Sequence, residues 1–115
     1  MQQRFTGNLL SQQVATDAVG LLRPLVERIH RHDKGLADQI RRAASSVALN
    51  LAEAAYNNAG HRRARFESAR GSANEVRAGL GLACAWGYVP ADAVAEVDAQ
   101  YDRVLAMTYS LWRRA

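Results

Sequence analysis

The chain has little cysteine, proline and glycine and no long apolar run, and each of these absences excludes a class of structure. Its one cysteine, Cys84, excludes an intrachain disulfide and suits a reducing compartment. Two prolines and eight glycines leave long segments uninterrupted. No apolar run is long enough to span a bilayer, and residues 1–7 lack the apolar core of a signal peptide. We therefore expect a cytoplasmic protein that makes no membrane contact.

What the chain does contain favours one helical domain. Its length of 115 residues is typical of a single domain, and a hydrophobic content of 49% argues against disorder. Alanine is abundant and β-branched residues are sparse, which favours helix. The 15 basic residues, all but one of them arginine, outnumber 11 acidic ones and give a net charge of +4. This charge permits nucleic-acid binding without requiring it.

Apolar residues recur three and four positions apart in four segments, which is the spacing of one helix face. We predict helices over residues 10–31, 36–56, 61–86 and 90–113. Because the breaks between them are short, consecutive helices should be antiparallel neighbours. The predicted fold is therefore all-α, an antiparallel up-down four-helix bundle that forms one domain over residues 1–115. Its predicted core positions are Val14, Ala18, Leu21, Leu25, Ile29, Leu36, Ile40, Ala43, Val47, Leu51, Ala54, Phe66, Ala69, Ala73, Val76, Leu80, Ala83, Val94, Val97, Tyr101, Val104, Thr108 and Leu111.

Two of the predicted helices carry apolar residues off their core stripes. These residues are Ala48, Leu49, Ala52 and Tyr56 in the second helix, and Ala64, Gly71, Ala78 and Ala85 in the third. The third helix also holds Gly79 and Gly81, and each helical glycine costs roughly 0.8–1 kcal/mol relative to alanine. Such glycines are typical of a helix that another backbone approaches closely. We interpret the surface as a subunit interface; the alternative is a small-residue surface tolerated in an alanine-rich chain.

Two segments carry a family resemblance. Residues 39–53, QIRRAASSVALNLAE, and residues 65–75, RFESARGSANE, resemble the signature of the four-helix-bundle proteins named after intervening sequences in bacterial 23S ribosomal RNA genes. That family is distantly related to the accessory proteins of diversity-generating retroelements. The resemblance implies a bundle that assembles into a homo-oligomeric ring, with a pentamer preferred. It implies no established enzymatic activity, and nucleic-acid binding is suspected for the relatives.

The two signature segments contain five polar residues: Asn50, Glu53, Arg70, Ser72 and Glu75. Because their helices should be antiparallel, Glu53 and Arg70 are predicted to pair across them. We interpret the five residues as a buried or half-buried network that fixes helix register. The alternative is a site for a ligand or a partner.

No constellation of catalytic or metal-binding residues is evident. Glu27 and His30 match the Glu-x-x-His spacing of di-iron bundles, but the chain has no second copy of that motif. Cys84 has no histidine or aspartate close to it in sequence, so we expect a packed, unreactive thiol. We therefore predict no enzyme activity, no cofactor, no metal and no small-molecule substrate.

The basic residues cluster at two places in the chain. The candidates for nucleic-acid binding are Arg41, Arg42, Arg62, Arg63 and Arg65. The last three lie at the start of the predicted third helix, where positive charge opposes the helix dipole. A bound anion would compensate that unfavourable placement. Our first hypothesis is an oligomeric protein that binds RNA or DNA backbones through these arginines. The alternatives are ordinary solvated charge on a protein-binding scaffold or accessory subunit with no nucleic-acid role.

Overall fold

The computed structural model describes residues 8–115, which form four helices. They are α1 (Leu9–His30), α2 (Lys34–Ala54), α3 (Ala59–Ala85) and α4 (Ala91–Arg114). Each boundary lies within two residues of its prediction, and the four-helix fold is confirmed. None of these helices is both long and apolar enough to cross a membrane. The signal-peptide prediction concerns residues 1–7, which lie outside the described part of the chain.

Side chains at two of the breaks fix where helices begin. Asp33 precedes α2, and its Oδ1 accepts a hydrogen bond of 3.0 Å from the backbone N–H of Leu36. Asn58 precedes α3, and its Oδ1 accepts one of 3.0 Å from the backbone N–H of His61. Both are N-caps that satisfy a backbone donor left free in the first turn. These caps make the break residues part of the folding signal.

Neighbouring helices run in opposite directions. Contacts between α2 and α3 descend along one helix as they ascend along the other: Asn50 with Arg65, Ser46 with Ser72, and Ile40 close to Gly79. Contacts between α3 and α4 behave in the same way: Arg63 with Trp112, Arg70 with Tyr109, and Arg77 with Asp98. Helix α1 closes the bundle by contacting both α2 and α4. The result is a rod of 49 × 21 × 19 Å.

One apolar core runs through the bundle, and most of the predicted core positions are buried in it. The prediction of Leu21 is wrong: Leu21 is 36% exposed, whereas Leu22 is 2% exposed. Both residues fit a spacing of three and four between Ala18 and Leu25, so the Leu-Leu pair was ambiguous. Leu36 packs at the edge of the core and is half-buried.

The glycines of α3 serve different purposes. A Cβ added at Gly79 would lie 2.6 Å from Cγ1 of Ile40, so glycine there lets α2 and α3 approach closely. A Cβ at Gly71 or Gly81 would meet nothing within 4 Å. The neighbour of Gly79 is thus a side chain of α2 rather than a backbone, and the other two glycines face open space in the single chain.

Candidate functional site

A groove of about 500 Å³ runs along the surface between α2 and α3. We call it the arginine groove; its lining residues are Arg41, Arg42, Ser45, Ser46, Leu49, Asn50, Glu53 and Arg65. Three guanidinium groups thus face one carboxylate, with hydroxyl and amide groups between them. This composition favours an anion, because arginine binds phosphate and carboxylate groups through paired N–H donors.

The groove arginines keep donors available. Arg42 is exposed and makes no hydrogen bond or ion pair within residues 8–115. Arg41 contacts Asp38 at 2.9 Å, but its side chain remains 66% exposed. Arg65 donates from Nη1 to Oδ1 of Asn50 at 3.3 Å, a long bond at the surface. Exposed contacts of this kind are weak and are readily exchanged for a ligand.

The five polar signature residues do not form one network. Asn50 and Ser72 are linked through Ser46: the Asn50 side-chain amide donates to the Ser46 carbonyl at 2.9 Å, and the Ser46 and Ser72 hydroxyls lie 2.9 Å apart. Glu53 is exposed at the groove, and Glu75 is exposed farther along α3. The hydrogen-bonded residues Asn50, Ser46 and Ser72 join α2 to the middle of α3.

The predicted ion pair between Glu53 and Arg70 is wrong. Arg70 lies on the other flank of α3, where its Cζ is 5.0 Å from the ring centroid of Tyr109 and 5.7 Å from that of Trp112. Its Nε is buried and has no hydrogen-bond partner within residues 8–115. The arginine is therefore held by aromatic rings of α4 rather than by a carboxylate of α2.

A seven-residue spacing explains the two flanks of α3. Arg63, Arg70 and Arg77 are seven apart and all contact α4. Arg65, Ser72 and Gly79 are also seven apart and all face α2. These are the positions that flank the buried seam in a heptad pattern. The heptad register is the signal that could have separated Arg70 from Glu53 in the sequence.

The three arginines at the start of α3 point to three places. Arg62 donates from Nη2 to the carbonyl of Asn57 at 2.9 Å and from Nε to that of Ala54 at 3.3 Å. Arg63 lies over the ring of Trp112 with its Cζ 4.4 Å from the centroid, and Arg65 faces the groove. Arg62 therefore binds carbonyls at the end of α2, where a helix favours positive charge. That placement gives a structural reason for an arginine whose charge opposes the dipole of its own helix.

An ion-pair cluster that sequence reasoning missed joins α3 to α4. Arg77 contacts the Asp98 carboxylate twice, at 2.8 and 3.1 Å, and Asp102 at 3.2 Å. The hydrogen bonds with Asp98 raise the pKa of Arg77, and the same contact lowers the pKa of Asp98. A forked contact of this kind fixes the register of two helices.

Three rings also meet at one end of the bundle, and we call them the aromatic end cluster: His32, Trp86 and Tyr88. The His32 and Tyr88 centroids are 5.2 Å apart with planes 7° from parallel. The Trp86 and Tyr88 centroids are 6.4 Å apart with planes 15° from parallel. Partial burial, and then the Asp33 carboxylate, raise the pKa of Tyr88. Sequence reasoning missed this cluster because its members come from two different breaks.

Within residues 8–115 no group of three or more histidine, cysteine, aspartate or glutamate side chains is placed to hold a metal. Glu27 instead contacts Arg23 at 3.1 Å on the exposed face of α1, and His30 is exposed as well.

The fold and its groove define a class, that of small basic four-helix-bundle proteins. The sequence model of the 23S rRNA-intervening sequence protein family matches residues 10–110, and the chain belongs to that family. This match confirms the resemblance read from residues 39–53 and 65–75.

A solved structure shows the same fold. It is a protein of unknown function from the S23 ribosomal protein family of Bacteroides thetaiotaomicron, which superposes with a TM-score of 0.82. The superposition covers 89% of this chain and 97% of that chain at 17% sequence identity. At this identity the likeness shows the fold alone. A search of curated proteins gave no significant match.

Proposed function

We propose that the protein is a non-enzymatic, oligomeric helical-bundle protein that binds the phosphate backbone of nucleic acids through the arginine groove. One observation carries the proposal: Arg41, Arg42 and Arg65 line a single surface groove from two helices. Each phosphate neutralised by such a group releases counterions, which makes binding weak at high salt and tolerant of sequence. Arg62 and Arg63 are left out of this site because both are engaged elsewhere.

A homo-oligomer is part of the proposal, with a pentameric ring preferred because of the family resemblance. In the single chain the small residues Ala64, Gly71, Ala78 and Ala85 are all exposed along α3. Leu82, on the same helix, is 53% exposed. A ring would repeat the groove in every subunit and multiply the contacts to one strand. Light scattering tests this, and a stable 12.6 kDa monomer at micromolar concentration would rule it out.

The groove is tested by removing its charges without changing side-chain size greatly. The variant Arg41→Gln/Arg42→Gln/Arg65→Gln should bind RNA and DNA more weakly for every sequence. Its dependence of log affinity on log salt should become shallower by up to about 3 per protomer, because three phosphate contacts are lost. Affinity is measured on a mixed panel of RNA and DNA at about 50 and about 200 mM salt.

A control variant separates local contacts from net charge. Arg28, Arg103 and Arg113 are exposed and make no ion pair within residues 8–115. Replacing these three with glutamine removes the same charge, and it should weaken binding much less than the groove variant does. Equal weakening by both variants would contradict a groove-specific site.

The second candidate is a protein-binding scaffold, favoured by the exposed Leu49 within the groove. It predicts no nucleic-acid binding by the parent protein even at low salt. It also predicts that Leu49→Ala, rather than the arginine variant, abolishes binding of a co-purified protein. A cytoplasmic location stays a prediction on either function.

A further inference from the structure

We propose that the aromatic end cluster is a stacking site for an unpaired base, so that the protein binds single-stranded nucleic acid in preference to duplex. This inference rests on the proposed backbone binding and names the form of nucleic acid that the protein selects. Aromatic side chains hold single strands by stacking on bases, which every base permits because each has a flat π face. A paired base lies inside a duplex and cannot offer that face.

The central ring of the cluster, that of Tyr88, is held in place before any ligand arrives. The Tyr88 hydroxyl donates to Oδ2 of Asp33 at 3.2 Å, and Oδ1 of the same carboxylate caps α2. Tyr88 is therefore tied to the first turn of α2. A rigid ring loses little conformational entropy when a base stacks on it.

The backbone between Trp86 and Tyr88 is also fixed. Gly87 has a φ of 78°, and its N–H donates to the Cys84 carbonyl at 3.0 Å. The N–H of Tyr88 donates to the Ala83 carbonyl at 2.9 Å. This pair of bonds is the Schellman arrangement that ends a helix on a left-handed glycine. The turn fixes the backbone that carries both residues, and their rings lie 15° from parallel.

The cluster is open on one side. Trp86 is 68% exposed, the highest value among the large hydrophobic side chains that the structure describes. Exposed single apolar residues are common and need no explanation. Trp86 differs from such a residue because its ring is aligned with those of Tyr88 and His32. A base that stacks on Trp86 would extend this row of parallel rings.

The charges around the cluster favour a nucleic-acid strand, rather than a basic protein, as its ligand. Arg31 and Lys34 lie on either side of His32 and Asp33, and both are exposed. Both oxygens of Asp33 are engaged by Leu36 and Tyr88. Lys34 contacts Asp38 at 3.5 Å, but its side chain remains 76% exposed. Asp92 lies in the first turn of α4. A strand whose base stacks on Trp86 could place phosphates near Arg31 and Lys34.

The basic residues beside the cluster and those of the arginine groove share one helix. Lys34 begins α2, and Arg41 lies seven residues along the same helix. Seven residues of helix correspond to about 10 Å along the axis. Stacked nucleotides advance about 3.4 Å each along a strand, so a few of them span that distance. One short strand can thus use both sites, one for a base and one for phosphates.

The test compares an unstructured RNA oligonucleotide with an RNA duplex of the same phosphate number, using the full-length protein. Trp86→Ala should lower the affinity for the single strand about tenfold and leave the duplex affinity unchanged. Trp86→Phe should restore most of the loss, since it keeps a ring. Leu10→Ala, which removes an exposed apolar side chain on α1, is the control and should leave both affinities unchanged.

A second readout reports the contact directly. In a Trp112→Phe background Trp86 is the remaining tryptophan, and its fluorescence should be quenched by the single strand. Quenching that survives the groove variant would support the stacking site even if the groove proposal failed. Single-strand affinity that is unchanged in Trp86→Ala, while the groove variant loses binding, would overturn the stacking site and leave the groove standing. A smaller oligomer in Trp86→Ala would overturn it as well, by showing that a second copy covers the cluster.

Discussion

The two flanks of α3 differ in how their arginines are used. On the α4 flank, Arg63, Arg70 and Arg77 each lie against an aromatic ring or a carboxylate. On the α2 flank a serine and a glycine occupy two of the three equivalent positions, and only Arg65 is basic. The helices approach closely there at Gly79, and the arginine groove lies farther along the same pair of helices. The arginines that hold the bundle together are thus separate from those free to bind a ligand.

The largest expected effect tests the close approach on the α2 flank. Gly79→Ala should destabilise the fold, because its Cβ would lie 2.6 Å from a buried Ile40 side chain. Overpacking of this kind typically costs about 1–3 kcal/mol. Gly71→Ala, which meets nothing within 4 Å, should instead stabilise the single chain by about 1 kcal/mol. Urea unfolding measures both, and a stabilising Gly79→Ala would show that the helices are not held at this distance.

The next effect concerns a phenol on α4. Tyr101 is fully buried, and burial raises its pKa to about 12. A raised pKa means that the folded state keeps its proton longer than the unfolded chain does. Stability from this group is therefore complete below about pH 10, the ordinary value, and is lost as the pH rises towards 12. The loss should reach about 2 kcal/mol.

Tyr101→Phe isolates that effect. The Tyr101 hydroxyl has no hydrogen-bond partner within residues 8–115, so removing it should cost little at neutral pH. The variant should lack this part of the alkaline loss. Unfolding is followed from pH 9 to 12 for both proteins. If the two curves stay parallel over that range, Tyr101 does not titrate with a raised pKa.

A smaller effect on stability distinguishes Arg70, on the α4 flank of α3, from Glu53 on α2. Arg70→Ala should lower stability by about 1–2 kcal/mol, because it removes the contacts of a half-buried guanidinium with two rings. Glu53→Ala should change stability by less than about 0.5 kcal/mol, because Glu53 is exposed. Thermal unfolding compares the two. Equal, large losses in both would revive the ion pair that the structure does not contain.

The sequence predicted the helices well because each core stripe repeats every three or four residues. It failed at Leu21, where two leucines fit the same stripe. It also treated Arg62, Arg63 and Arg65 as one cluster, although residues one and two apart on a helix do not face each other. The heptad register places Arg63 and Arg65 on opposite flanks of α3.

The aromatic end cluster could not be predicted from local patterns. His32 and Tyr88 lie 56 positions apart, in two breaks that meet only because the bundle brings both to the same end. The predicted up-down topology implies that meeting. The alignment of the rings depends further on the hydrogen bond from Tyr88 to Asp33 and on the turn at Gly87. No residue spacing in the sequence predicts either feature.

The smallest effect tests the ion pairs of the α4 flank by pH. The contact with Arg77 lowers the pKa of Asp98 below its ordinary 3.8, so the unfolded chain takes up that proton first as the pH falls. The stabilisation is therefore present above about pH 4 and is lost as the pH falls through the lower, folded-state pKa.

Because Asp98 is 40% exposed, solvent screening keeps the contribution below about 1 kcal/mol. Asp98→Asn should remove this acid-dependent part. Asp102→Asn, at a 72% exposed carboxylate, should lower stability at pH 7 by less than Asp98→Asn does. Urea unfolding at pH 7 and near pH 3 measures both. An acid loss that is the same in Asp98→Asn as in the parent would mean that Arg77 does not hold the α3–α4 register through Asp98, and the contrast between the two flanks would then rest on the aromatic contacts of Arg63 and Arg70.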